Sequence, residues 1–257
     1  MNVGFIGTGR ITRRLVRGLD HREHPITITR RSESVSSELV AEDPAIEVAQ
    51  TAQEVVNRSE VVFVCLAADV AREVLPGVSF SPGHAVISVM AGFPLAELRS
   101  AVSPATEVGV TIPMPVIEQG GCPLPVYPAS QALETLYGPR NPVIPVANES
   151  ALEPFWAVSG TMASVLEELR TVSAWLGERI GDADAAERYV THLFGAQLSD
   201  LQTETAGRLD TALQDLSIGG GLNATLRDRI EGSGHYDELR AGLDALYDRV
   251  RSQGNSG

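Results

Sequence analysis

Two glycines near the amino terminus are spaced for holding a phosphate group. The segment GTGRIT follows an apolar run and opens a stretch with helical character. Gly7 permits a tight turn, and Gly9 lets the backbone approach a ligand, so that phosphates can meet the free N–H groups of the next helix. The motif closes on Thr12 instead of Gly or Ala, and it predicts a dinucleotide site; the alternative is an ordinary strand-to-helix turn. The predicted contact residues are Gly7, Thr8, Gly9, Arg10 and Ile11.

The next β-rich run, ITIT, ends in residues that can select the cofactor. A site for NAD usually has an Asp or Glu here to hold the ribose hydroxyls, but the chain supplies Arg30, Arg31 and Ser32. Arginine forms paired hydrogen bonds with a phosphate group. We therefore expect NADP, with NADPH favoured over NADH. The alternative is a solvated arginine pair followed by Glu33.

Later strand ends contribute small or rigid residues to the same predicted crevice. Backbone at such positions can line the ribose and ring of the nicotinamide. Close packing alone would explain any one of them, whereas together they agree with a cofactor crevice. The predicted contacts are Leu66, Ala67, Ala91, Gly92 and Pro113.

Short β-rich runs alternate with helical stretches up to about residue 148. Several runs are continuously apolar, which is typical of strands covered on both faces by helices. The alternation predicts an α/β fold with a doubly wound, mostly parallel sheet. The runs begin at Asn2, Ile26, Ile46, Val61, Ala85, Glu107 and Pro142, and the helical stretches near Arg10, Ser34, Thr51, Asp69 and Pro94.

Beyond residue 148 the β-rich runs disappear and long helical patterns follow. The first of them, MASVLEELRTVSAWLGERI, has apolar residues at three- and four-residue spacing, so one face is expected to be buried. We predict a dinucleotide-binding domain over 1–148 and an all-α domain for dimerisation and substrate binding over 149–257. The helical patterns are Met162–Ile180, Ala183–Thr205, Ala206–Leu216, Leu222–Ile230 and Tyr236–Arg251.

Composition excludes several classes of function. A net charge of −13 disfavours nucleic acid and anionic membranes as partners. All 20 cationic residues are arginine, so Schiff-base chemistry and lysine acid catalysis are excluded. The two cysteines and five histidines have no disulfide or metal-site spacing, and we find no signal segment or long apolar span. We expect a cytoplasmic protein without a metal.

Several segments resemble pyrroline-5-carboxylate reductases, in the order of that family and along nearly the whole chain. They are VGFIGTGRITRRLVRGL, VISVMAGFPLAEL, LYGPRNPVIPVANES, SGTMAS and SIGGG. The resemblance implies a Rossmann domain, a helical domain that intertwines with a partner chain, and an active site formed at the dimer. It also implies hydride transfer from NAD(P)H to a cyclic imine.

The departures from the family lie where the substrate is bound. The family motif Met-Pro-Asn-Thr-Pro is replaced by TIPMPV, and Gly221 and Leu222 replace two threonines that help to hold the substrate. The segment SIGGG at residues 217–221 can still form an anion-binding loop through its backbone N–H groups. Alternatively, it simply ends one helix. Ser159 and Thr161 are candidates for a helix cap and for contacts with the substrate. The predicted substrate-binding residues are Ser159, Thr161, Ser217, Gly219, Gly220, Gly221 and Asn223, with no catalytic residue assigned.

The sequence therefore predicts an NADPH-dependent oxidoreductase that reduces a cyclic imine, working as a homodimer or higher homo-oligomer. Two alternatives remain open. One is an NADP-binding protein that has lost the reaction, because the substrate loops have diverged. The other is a reductase of a different imine or of a ketone. An imine that arrives protonated needs little beyond a positioned hydride donor and a shaped pocket, so the missing acid residue does not exclude reduction.

Overall fold

The structure, a computed structural model, describes residues 1–30, 33–201 and 207–254. The chain divides into two compact units. The first comprises Met1–Ser159 with Tyr247–Gly257, and the second comprises Gly160–Leu246.

The described residues form eight strands and twelve α-helices. The strands are β1 (Val3–Ile6), β2 (Ile26–Thr29), β3 (Glu47–Ala49), β4 (Val61–Val64), β5 (Ala85–Ser88), β6 (Glu107–Thr111), β7 (Leu124–Tyr127) and β8 (Val143–Pro145). The helices are α1 (Arg10–Arg17), α2 (Glu33–Glu42), α3 (Ala52–Asn57), α4 (Ala68–Val74), α5 (Leu95–Ala101), α6 (Gln131–Tyr137), α7 (Glu153–Ser159), α8 (Met162–Ile180), α9 (Ala183–Leu201), α10 (Arg208–Leu216), α11 (Leu222–Glu231) and α12 (His235–Gly254). Three short 3-10 turns follow α4, β6 and β8.

The strands form one sheet in the order β3-β2-β1-β4-β5-β6-β7-β8. All pairs are parallel except β6 with β7. The predicted α/β doubly wound fold is confirmed. From β1 the chain builds β2 and β3 on one side and β4 to β6 on the other, so the order reverses between β1 and β4. In open α/β sheets, ligands bind at the carboxyl ends of the strands at such a reversal.

Helices cover both faces of this sheet, and the strands bury side chains on each. Phe5 of β1 and Phe63 of β4 point to the face that holds α1, α2 and α6, and their rings stack at 5.1 Å. Val62 and Val64 point to the opposite face, where α3, α4 and α5 pack. Because both faces are covered, β1 and β4 have no polar side chain at any position, and this pattern made the two strands predictable from the sequence.

Three elements of the first unit were not predicted. The strand β7 lies in a segment rich in Pro and Gly, and Pro125 stands within it. It is held antiparallel to β6 through pairs such as Val110 with Tyr127, and parallel to β8. The short helices α6 and α7 were also missed. Their amphipathic patterns are too short to stand out, and packing stabilises them more than local preference does.

The second unit is helical in every described element, as predicted. Helices α8 and α9 pack closely, since a Cβ at Gly177 would lie 3.2 Å from the Cα of Ala183. The predicted helices Ala183–Thr205 and Ala206–Leu216 include residues 202–206, which lie outside the described residues. In the described residues, no helix combines the length and the apolar character needed to cross a membrane.

Candidate functional site

The turn after β1 requires glycine at its first position. Gly7 has a φ of 96°, in the left-handed region that favours glycine. A Cβ at Gly7 would lie 2.5 Å from the carbonyl oxygen of Cys65 and 2.7 Å from the side chain of Leu66. The turn therefore lies directly against the end of β4, at the reversal of strand order.

Gly9 differs from Gly7, because a Cβ at this position would contact nothing within 4 Å. Gly9 precedes α1, whose first turn has no acidic residue. Arg10, the first residue of α1, is exposed and has no ion-pair partner among the described residues. The later arginines of α1 all pair with glutamates. The space beside Gly9, the free N–H groups at the start of α1 and the unpaired cation of Arg10 together suit a pyrophosphate group.

Three threonines hold this turn in place, and the sequence did not reveal their contacts. The N–H of Gly7 donates to Oγ1 of Thr29 at 2.9 Å, and the hydroxyl of Thr8 donates to the carbonyl oxygen of Thr29. The hydroxyl of Thr12 donates to the carbonyl oxygen of Gly7 at 2.6 Å, and Oγ1 accepts the N–H of Gly9 at 3.3 Å. Thr12 therefore takes the place of the usual third glycine and adds hydrogen bonds within the turn.

A cleft of about 390 Å³ lies beside the glycine turn, where the carboxyl ends of β1 to β4 meet. Arg30 is exposed at the end of β2. The predicted cofactor residues Arg31 and Ser32 lie outside the described residues. The lining residues are Ile6, Gly7, Thr29, Arg30, Gln50, Ala52, Leu66 and Val74. The structure thus brings together Gly7, Arg30 and Leu66 of the predicted set.

The remaining predicted cofactor residues follow neighbouring strands. Ala67 is exposed at the start of α4, Ala91 is exposed in the turn after β5, and Pro113 is buried after β6. Ile11 packs on the α1 side of the sheet. Gly92 lines a pocket of about 340 Å³, where Trp156 and Glu149 also lie.

Cys65 directly follows β4 and lies against the turn after β1. Desolvation raises the pKa of the Cys65 thiol to about 12, although a hydrogen bond with Thr12 partly opposes the shift. The thiol is therefore neutral at physiological pH and is a poor nucleophile. Its contribution at this position is packing.

The predicted helix caps Ser159 and Thr161 do not cap through their side chains. The hydroxyl of Ser159 donates to the carbonyl oxygen of Trp156 at 2.7 Å, within its own helix α7. Thr161 occupies the N-cap position of α8, but its side chain makes no capping hydrogen bond. The resemblance, not their local geometry, suggests a contact with substrate.

The glycine turn of the second unit connects α10 to α11. Gly220 has a φ of 77°, and the N–H of Gly221 donates to the carbonyl oxygen of Ile218 at 2.9 Å. Ser217 accepts a hydrogen bond from Arg227 at 2.5 Å, a contact that the sequence did not reveal. Gly219 and Asn223 lie at this turn with Leu222, whose surface is 91% exposed. The predicted residues 217–223 are thus grouped at one helix start.

Several known proteins are similar to this chain in sequence or in fold. Residues 2–92 match the family model described as NADP oxidoreductase, coenzyme F420-dependent. A pyrroline-5-carboxylate reductase from Streptococcus pyogenes is 19% identical and has a TM-score of 0.81, with 98% of each chain covered. The Plasmodium falciparum pyrroline carboxylate reductase, solved with NADP bound, is 13% identical at a TM-score of 0.82, covering 99% of this chain and 98% of that one.

The chain has the fold of the pyrroline-5-carboxylate reductases. The resemblance predicted from the sequence is thus confirmed at the level of the fold. A reductive aminase from Aspergillus terreus in complex with NADPH is also similar, with 14% identity, a TM-score of 0.60 and coverage of 100% of this chain and 94% of that one. No curated protein sequence gives a significant match.

Proposed function

We propose that this protein is an NADPH-dependent reductase of C=N bonds, acting on a cyclic imine. The observation that carries the proposal is the start of α1, where Gly9 leaves open space and Arg10 stays unpaired within the described part of the chain. It is supported by the shared fold with pyrroline-5-carboxylate reductases, two of which cover nearly this whole chain.

The cofactor, when bound, would supply the hydride. Gly7, Gly9 and the start of α1 would hold the pyrophosphate, and Arg30 with Arg31 and Ser32 would bind the 2'-phosphate that distinguishes NADPH from NADH. The segments Leu66–Ala67 and Ala91–Gly92, together with Pro113, would line the nicotinamide end. We propose residues 1–148 as the cofactor domain.

Residues 149–257 are proposed as the helical domain for substrate binding and dimerisation. Ser159, Thr161, Ser217, the glycines 219–221 and Asn223 would contact the substrate. The backbone of the glycine turn and the start of α11 offer N–H donors for an anionic group. Leu222, where the family has threonine, favours an apolar group at the same turn.

Dimerisation is supported by the apolar surface of the second unit. In the described residues 160–201 and 207–246, the buried hydrophobic side chains are Ala186, Val190 and Ala224, whereas many large ones are exposed. Such a set of large exposed apolar side chains over so few buried ones is typical of a surface that a second copy covers. The most exposed examples are Leu166, Tyr189, Leu209, Ile218, Leu222 and Leu226.

In the test, the protein is first titrated with NADPH and with NADH, and binding is measured from the fluorescence of the nucleotide. A panel of cyclic imines with and without a carboxylate, open-chain imines and ketones is then added, and loss of nicotinamide absorbance is measured. We expect tighter binding of NADPH and turnover of at least one cyclic imine. Failure to bind either nucleotide would overturn the proposal.

Two other outcomes identify the alternatives. Tight NADPH binding without turnover of any compound would indicate a cofactor-binding protein that has lost the reaction, as divergence of the substrate loops suggests. Turnover of ketones or bulky imines, without turnover of cyclic imino acids, would indicate a reductase with a different substrate.

A further inference from the structure

The turn between β5 and α5 forms one wall of the 340 Å³ pocket. Met90, Gly92, Phe93 and Pro94 all line this pocket. Gly92 has a φ of 72° and Phe93 is 4% exposed, so the turn combines a left-handed residue with a buried ring. The exact course of its backbone therefore decides the shape of the wall beside the proposed nicotinamide site.

Arg72 of α4 contacts Gly92 and Phe93 of this turn and Glu97 in the first turn of α5. Its Nε and Nη2 donate to the two carboxylate oxygens of Glu97 at 2.7 and 2.9 Å. Its Cζ lies 5.2 Å from the centre of the Phe93 ring, within the range of a cation–π interaction. Nη2 also lies 3.5 Å from the carbonyl oxygen of Gly92, a long hydrogen bond. A planar guanidinium can make all of these contacts at once, whereas the ammonium group of a lysine cannot.

The other end of the turn is held from a different element. The N–H of Leu95, at the start of α5, donates to Oε1 of Glu149 at 2.7 Å. The N-cap residue Pro94 offers no side-chain cap, so Glu149 satisfies a donor that would otherwise lack a partner in the protein. Arg72 and Glu149 thus hold the turn from both ends.

We propose that Arg72 is a positioning residue of the reductase, a role that rests on the proposed function. Arg72 belongs to the helix that directly follows Leu66 and Ala67, and it grips the turn that contains Gly92. It therefore joins two segments proposed to line the nicotinamide end of the cofactor. An exposed ion pair adds little stability, so its effect is on the placement of the turn.

The first test compares Arg72→Leu with Arg58→Leu. Arg58 is a matched control, since it forms a similar exposed pair with Glu47 at 2.9 Å in the same unit. In the protein without nucleotide, amide hydrogen exchange at Gly92, Phe93 and Leu95 should accelerate in Arg72→Leu only. With NADPH and an accepted imine, kcat should fall about tenfold or more, because small displacements of positioning groups are costly. The KM for NADPH should change less than threefold.

A charge swap separates placement from simple ion pairing. Arg72→Glu combined with Glu97→Arg restores an ion pair between α4 and α5, but it moves the guanidinium to the wrong helix. Thermal stability should equal that of the wild type, while kcat stays as low as in Arg72→Leu. Arg72→Lys, which keeps the charge and loses the fork, should fall between wild type and Arg72→Leu in both exchange and kcat.

Two results would overturn the proposal. One is exchange at Gly92, Phe93 and Leu95 and a kcat in Arg72→Leu equal to those of Arg58→Leu. The other is a charge swap with the kcat of the wild type. If the wild-type protein binds no nucleotide, the proposed function fails, and the exchange comparison alone then decides whether Arg72 holds the turn.

Discussion

The hydroxyl of Thr8 donates to the carbonyl oxygen of Thr29, and the two hydroxyl oxygens lie 3.2 Å apart. The contact joins the glycine turn after β1 to the end of β2, two segments proposed to bind different phosphates of one cofactor. Both residues are nearly buried, at 4% and 9% exposure. The spacing between the two segments is therefore fixed by side chains that need not touch the proposed ligand.

Replacing Thr29 by Val should weaken both the fold and the cofactor site. The substitution keeps the shape but removes the acceptor of the Gly7 N–H, and an unsatisfied buried donor costs about 1 to 3 kcal/mol. Denaturant unfolding and NADPH titration measure the two effects. Thr27→Val is the control, because Thr27 is buried in the same strand and its hydroxyl makes no hydrogen bond within the described residues. Equal effects of the two substitutions would contradict the prediction.

Alanine at Gly7 and alanine at Gly9 should have different consequences. At Gly7 the positive φ and the contact at 2.5 Å with Cys65 should destabilise the fold by more than about 2 kcal/mol. At Gly9 the Cβ meets only open space, so stability should change by less than about 1 kcal/mol. NADPH affinity should nevertheless fall at least tenfold, about 1.4 kcal/mol. Thermal unfolding and titration distinguish the variants, and normal NADPH binding by Gly9→Ala would be inconsistent with the proposed phosphate site.

Neutralising Arg10 should weaken NADPH binding without affecting the fold. Arg10→Gln removes a cation at the start of α1, and loss of a charge-assisted hydrogen bond should raise the Kd for NADPH about tenfold. The loss should shrink as salt is added, since exposed charges are screened. Arg22→Gln is the control, because Arg22 is also exposed and its side chain forms no ion pair within the described residues. Calorimetry at two salt concentrations would show whether the two variants differ.

The apolar surface of the second unit predicts a dimer in solution. Light scattering at micromolar concentration should give twice the mass of 27.4 kDa. Leu166→Glu, on a side chain that is 60% exposed in α8, should shift the population toward monomer. Val116→Glu, on a 44% exposed side chain of the first unit, should remain dimeric. A monomeric wild-type protein would refute this prediction.

Acid should weaken the connection between the loop after α1, which contains His21, and the loop after α2, which contains Asp43. The backbone N–H of Ala45 and the ring of His21 hold the pKa of Asp43 below its ordinary 3.8. Because the folded pKa is lower than the unfolded one, this contribution to stability is fully present above the unfolded pKa and disappears as the pH falls through the folded pKa. Asp43→Asn should therefore flatten the loss of stability below about pH 4. Unfolding midpoints measured from pH 3 to 6 check this, and identical pH profiles would count against it.

The parts of the fold that the sequence predicted are those with strong local patterns. Strands β1 and β4 are apolar along their length because helices cover both sides, and the glycine motif follows β1 directly. Strand β7 was not predictable in this way. Pro125 cannot donate a ladder hydrogen bond, and the strand is defined by its neighbours β6 and β8 instead of by its own composition.

The contacts that shape the candidate site were mostly hidden from the sequence. Thr29 lies 22 residues from Gly7, and its hydrogen bond depends on the parallel pairing of β1 with β2. Thr12 looked like a mild departure from the glycine motif, yet its hydroxyl bonds within the turn. Arg72 reaches the turn after β5 only because α4 and α5 lie on the same face of the sheet. Such pairings follow from topology, which residue patterns constrain only in part.

The phenol of Tyr137 donates to the carbonyl oxygen of Leu15 at 2.8 Å, across 122 residues of sequence. Tyr137 is 1% exposed and its ring packs edge-on against Phe63, so it is part of the packing beneath α1. During translation, α1 is synthesised well before α6, so its packing against Tyr137 is completed only after α6 has been added to the chain. The proposed nucleotide site thus gains its full structural support only when about half of the given sequence has been synthesised.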